Sequence, residues 1–188
     1  MRTVAARRSL AGPAVVALGV GVLWLRTAAF AEIQPAVVPR AALLLLVYGA
    51  IAVASAPLAR TDEPVRLHPA QVGGIGLLTV LIAAAAAGPS APLPGAALVL
   101  PLSLAAAISE EMLLRGVAYS ELNRWGPAAA VAGSALLFAV IHLPAYGPAA
   151  MPVDLGAGLL FSWQRWASGS WKIPAATHAA ANILAVMR

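Results

Sequence analysis

The groups that could do chemistry stand at four-residue spacing. Glu111 and Arg115 are an i,i+4 pair, as are Phe138 and His142, and His178 and Asn182. At 3.6 residues per turn, the members of each pair share one helix face. Glu110 lies about 100° round the helix from Glu111, so the two adjacent acids need not do the same job. A carboxylate and an imidazole can hold a water between them, and the carboxylate can take its proton. A second imidazole and a side-chain amide can donate hydrogen bonds to a developing oxyanion. Desolvation favours the neutral form of a carboxyl and a nearby arginine favours the charged one. An acid subject to both can be poised as a base.

The same groups could also bind a metal. Glu110, His142 and His178 are permissible zinc ligands, and that set is the one expected if the chemistry were metal-dependent. No H-E-x-x-H pattern occurs and the chain has no cysteine, so no spacing supports zinc. The acids and histidines come from three different helices, which does not exclude a metal; no cofactor is expected, with zinc the alternative.

The surroundings of these residues are apolar. The chain has 188 residues, of which 61% are hydrophobic and 10% charged, with a mean hydropathy of +0.86. A soluble domain is typically about 25% charged. Such a chain reads as an all-α, polytopic membrane bundle of about seven helices, at ~20 residues per span. An ionisable side chain inside a span costs roughly 2.5–3.5 kcal/mol and normally faces protein or a water-filled cavity. Absence of cysteine excludes disulfides. The net charge of +5 comes from scattered residues, which argues against nucleic acid and for arginines retained in cytoplasmic loops.

The spans are expected at about 10–25, 41–58, 71–87, 96–123, 128–143, 153–166 and 171–186. Pro101 should bend the fourth, Pro127 should open the fifth and Pro144 should end it. Gly156 and Gly158 should permit close packing of the sixth. The tryptophans 163, 166 and 171 flank the last turn, as interfacial aromatics do. The first run can also be read as a secretory signal with Ala29-Phe30-Ala31 as its cleavage site. The many spans that follow, and Arg26 just before that site, favour a first span. The whole chain, 1–188, reads as one transmembrane domain: peripheral spans over 1–95 and a core over 96–188 that carries the polar set.

With the N-terminus inside, Arg2, Arg7, Arg8, Arg60, Arg66, Arg115, Arg124, Arg165 and Lys172 fall on the inner side. Arg26, Arg40 and Arg188 fall on the outer one. The bias fits a cytoplasmic N-terminus. At 1.5 Å per residue, Glu110, Glu111 and His142 lie at similar depth, roughly 20–25 Å from the turn between their helices. His178 lies only roughly 12–15 Å from its own turn, a mismatch that tilt, a bend or shifted boundaries must absorb.

Taken singly, these residues have plainer readings. A histidine in a span commonly serves as a hydrogen-bond partner in packing. Glu111 and Arg115 can simply neutralise each other, and Phe138 can be packing. Asp154 and Gln164 fit helix-end or interface positions, and His68 fits a solvated loop. The ordered set is more specific. Glu110-Glu111-x-x-x-Arg115, Phe138-x-x-x-His142 and His178-x-x-x-Asn182 resemble the motifs of the CPBP family of intramembrane proteases, the CAAX-processing and bacteriocin-processing group. The resemblance covers about residues 97–186. Leu114 stands where that family usually has an aromatic.

The resemblance implies an intramembrane endopeptidase acting on a membrane-associated protein or peptide; the family is described with both metal and glutamate mechanisms, and the metal-free glutamate one is preferred here. It implies Glu110 as the base that activates water with the help of His142. It implies His178 and Asn182 on the oxyanion side, with Glu111 and Arg115 orienting the site. It also implies an integral protein of a bacterial inner membrane, in contact with the lipid bilayer. Alternatives are a silent family member serving as an immunity or membrane partner, and a small transporter using Glu110 and the histidines as a proton relay. The intact polar set argues against the first, and the absence of a repeat between halves against the second.

Overall fold

The computed structural model describes residues 2–31, 37–61, 63–91 and 95–187; within the first two helices the described side chains are those of 10–26 and 40–55. Every regular element among them is helical. In chain order they are α1 (Arg2–Ala31), α2 (Val37–Ser55), α3 (Pro69–Ala87) and α4 (Ala96–Glu111), then a π-helical segment (Met112–Ala118) and α5 (Tyr119–Leu122). A 3-10 turn (Asn123–Trp125) ends that rod. α6 (Pro127–Tyr146), α7 (Met151–Ser168) and α8 (Lys172–Met187) follow. The rod from Ala96 to Trp125 is one continuous helix of 30 residues, so the architecture is an all-α bundle of seven long helices.

Three of these are long and apolar enough to cross a membrane: Pro69–Ala87, Ala96–Trp125 and Pro127–Tyr146. α1 and α2 carry shorter apolar stretches, Leu10–Arg26 and Arg40–Ser55. α7 and α8 are diluted by the polar side chains they turn inward, among them Gln164, Arg165, Thr177 and His178, all buried. The candidate cleavage stretch at 29–31, and Arg2, Arg7, Arg8 and Arg188, lie outside the described side chains.

α6 packs along α7, α4 along α8, and α7 along α8, while α1 lies on α6, α2 on α4 and α3 on α8. Leu113, Leu114, Phe138, Ile141 and Phe161 fill the centre, with Leu23, Tyr48 and Ile51 added from α1 and α2. Pro127 opens α6 as expected. Pro144 does not end it: the helix runs on to Tyr146, since a proline withholds only its own N–H and those of the residues after it still bond, as Gly147 N does to the Leu143 carbonyl. The turn before α8 needs glycine twice over. Gly169 has φ +71, and a Cβ there would meet Glu63 O at 2.4 Å.

The two glycines of α7 differ. A Cβ at Gly158 would stand 2.7 Å from Ala135 O and 3.0 Å from Ala135 Cα on α6, whereas one at Gly156 meets nothing within 4 Å. Gly158 therefore sets the α6–α7 distance, and Gly156, expected to share that role, does not. Substituting Gly158 by Ala forces backbone apart. The expected outcome is a loss of about 1–3 kcal/mol of stability in thermal unfolding of the detergent-solubilised protein, with Gly156→Ala close to neutral.

Candidate active site

The four carboxyl-terminal helices bring the motif residues to one place. Glu110 and Glu111 end α4 at the point where the backbone passes into the π-helical segment. π turns occur mostly as short insertions at functional sites. The wider turn also shortens the rise between the acids and the loop, which absorbs part of the depth mismatch expected for His178.

Glu111 and Arg115 are wholly buried. Arg115 Nη1 donates to Glu111 Oε1 at 2.8 Å, and Nη2 donates to the Gly158 carbonyl on α7 at 2.9 Å. The guanidinium lies 4.9 Å from the Phe138 ring centre and 5.4 Å from that of Phe161, within cation–π range of both. Glu111 Oε1 also receives His178 Nδ1 at 3.1 Å. His178 stacks on Phe161, with ring centres 5.0 Å apart. One ion pair thus ties α4 to α7 and α8.

Glu110 faces elsewhere. It lines a cavity of about 360 Å³ together with Arg26, Tyr48, Ser103, His142, Tyr146, His178 and Asn182. Its Oε2 lies 3.8 Å from His142 Nε2, beyond direct hydrogen-bond reach. His142 Nδ1 is 2.8 Å from the Phe138 carbonyl. A carbonyl only accepts, so Nδ1 carries the hydrogen, and a neutral ring turns a lone pair on Nε2 toward Glu110. Asn182 Nδ2 donates to the Ser103 carbonyl at 2.9 Å, which anchors the amide and leaves its second N–H. Phe138 touches both histidines, with ring centres 4.4 Å from His142 and 5.4 Å from His178.

Glu110, His142, His178 and Asn182 thus border one space, while Glu111, Arg115 and Phe138 form the wall behind it. The alternative metal set does not assemble. Among the described residues no three His, Asp or Glu side chains lie close enough to hold an ion. Glu110 Oε1 faces a guanidinium, and His178 Nδ1 contacts Glu111 Oε1.

The charges expected in loops are placed differently. Arg115 and Arg165 are fully buried, and Arg165 donates to the carbonyls of Arg115 at 2.9 Å and Arg60 at 3.1 Å. Arg26 reaches inward from α1, donating through Nη1 to Tyr48 and, at 3.3 Å, to Glu110 Oε1. Reading the motifs alone misses both Arg26 and Tyr48. A signal existed, since Gly12, Gly19 and Arg26 recur every seven residues on one face. Gln164 proves structural, bonding Val72 O at 3.1 Å and Thr177 at 2.8 Å, whereas Asp154 is an electrostatic neighbour of His142. His68 is exposed, and its ring caps α3.

Removing one partner of a buried ion pair leaves the other charge uncompensated, at about 3–5 kcal/mol. Glu111→Ala is therefore expected to lower the thermal unfolding transition in detergent by that order, and Glu111→Gln by less.

Residues 92–184 match the family model of the type II CAAX prenyl endopeptidases, Rce1-like. No curated protein and no solved structure matches the chain. The matched region holds every motif residue named above. The match over residues 92–184 is to an Rce1-like type II CAAX prenyl endopeptidase domain, consistent with a CPBP family intramembrane protease.

Proposed function

We propose that the protein is an intramembrane endopeptidase in which Glu110 and His142 activate water without a metal. The observation that carries this is the 3.8 Å separation of Glu110 Oε2 and His142 Nε2, two acceptors facing each other across a polar cavity. A water between them donates one O–H to each, and its oxygen lone pairs are then free to attack. As the oxygen bonds to the scissile carbonyl carbon, Glu110 takes the proton. The carbonyl oxygen becomes the oxyanion, received by the second N–H of Asn182 and by His178. Collapse of the tetrahedral adduct expels the amine, which takes the proton back from Glu110.

The tautomer of His178 constrains its part. Because Glu111 Oε1 already accepts from Arg115, His178 Nδ1 is the donor in their contact. A neutral ring would then present an acceptor at Nε2, so donation to the oxyanion requires the doubly protonated ring. The family description makes a prenylated C-terminal CAAX peptide the first substrate to try. Membrane-delivered tails without a prenyl group come second.

The test uses the detergent-solubilised full chain and a farnesylated CAAX-type peptide, with products identified by mass spectrometry. Glu110→Gln and His142→Ala are each expected to lose at least about 100-fold in rate while still inserting and folding. Asn182→Ala is expected to lose about 100-fold or more in kcat. Wild-type cleavage by the Glu110 variant would remove its assigned role. Loss of activity with a chelator and recovery with zinc would overturn the metal-free mechanism.

A further inference from the structure

The family-matched region begins at residue 92, yet the cavity takes a charged wall from before it. We infer that Arg26 of α1, held by Tyr48 of α2, is a positioning residue that fixes the Glu110 carboxylate for its work with His142. This rests on the reading of Glu110 as the base.

The placement of Arg26 is built into α1. A Cβ at Gly12 would meet the Glu121 side chain at 2.2 Å, and one at Gly19 would meet Leu113 at 2.6 Å. These glycines let α1 close on the rod that carries the acids. Arg26 is the next residue on that face, two turns on, and it arrives at Glu110. Its side chain is 9% exposed and that of Glu110 3%. Nη1 donates to the Tyr48 hydroxyl and to Glu110 Oε1, and the guanidinium carbon lies 5.0 Å from the Tyr48 ring centre. Tyr48 is itself buried.

The result is a carboxylate with unlike partners on its two oxygens. Oε1 meets a cation at 3.3 Å and Oε2 faces His142 Nε2 at 3.8 Å. A glutamate has three rotatable bonds, and in a cavity of this size an untethered carboxylate would not stay turned to His142. The other charged groups nearby are engaged elsewhere: Arg115 and His178 bind Glu111. Tyr146 stacks on His142, and Asp154 acts on that ring. Arg26 is the guanidinium within ion-pair reach of Glu110 among the described residues. Arg26 is not a catalytic residue in this account; it acts through Glu110.

The test has one arm with substrate and one without. With the farnesylated peptide, Arg26→Met is expected to lower kcat about 10- to 100-fold, the scale of a displaced catalytic group, with KM little changed. Arg26→Lys should restore most of it, since an ammonium can donate to both Tyr48 and Glu110. Tyr48→Phe should show a smaller loss in the same direction. Without substrate, dicyclohexylcarbodiimide, which modifies protonated carboxyls in apolar sites, should label Glu110 faster in Arg26→Met than in wild type or Arg26→Lys, read by peptide mass spectrometry. Unchanged kcat and unchanged labelling in Arg26→Met overturn the inference. So does a rise in KM alone, which would place Arg26 against substrate. Should Arg26→Met not fold, Tyr48→Phe carries the test, and a wild-type kcat there overturns it. Cleavage by Glu110→Gln would instead sink the reading of Glu110, a separable outcome.

Discussion

The bundle depends on one ion pair placed where water does not reach. Glu111 and Arg115 are both wholly buried, and in a medium of low dielectric neither could stand without the other. The pair alone does not use every donor and acceptor it holds, and its further contacts reach the other helices. Arg115 takes the Gly158 carbonyl from α7, His178 of α8 takes Glu111 Oε1, and two phenylalanine rings flank the guanidinium. Gly158 thus serves twice, since its missing side chain brings α7 against α6 and its carbonyl meets the arginine. Packing and electrostatics fix the same distance.

Two neighbouring acids come to opposite duties for the same reason. The 100° between consecutive residues sends Glu111 into the interior and Glu110 into the cavity. Glu111 is held by Arg115 and His178, which makes it part of the frame. Glu110 keeps one oxygen facing His142 across a gap. The π-helical segment that follows the acids marks the place where the backbone departs from regularity. It lies beside the site and not at a helix end.

Much of this was legible in the residues themselves. The i,i+4 spacings placed each motif pair on a face, and Pro127 marked a helix start that the structure has. What the residues alone do not show is how far some charges are turned inward. Arg115 and Arg165 are fully buried, and Arg26 reaches inward to Tyr48 and Glu110. The positive-inside rule counts residues in loops, and it cannot tell a loop arginine from one whose helix is rotated toward the core. Pro144 does not terminate α6, because a proline withholds only its own N–H and the residues after it can still bond.

The sequence by itself determined the class of the fold, the positions of the helices after the first to within a few residues, and the set of groups available for chemistry. These are local properties: hydropathy, i,i+4 spacing and the punctuation of glycine and proline. Only the tertiary structure decided which acid meets which cation, that His178 bonds Glu111 and not Glu110, and that α1 delivers Arg26 to the cavity. In a membrane bundle the lipid-facing and core-facing sides of a helix are both apolar. Periodicity therefore carries little record of which way a helix is turned, and the rotation of one helix against another is settled by close packing and by the need of buried charges for partners.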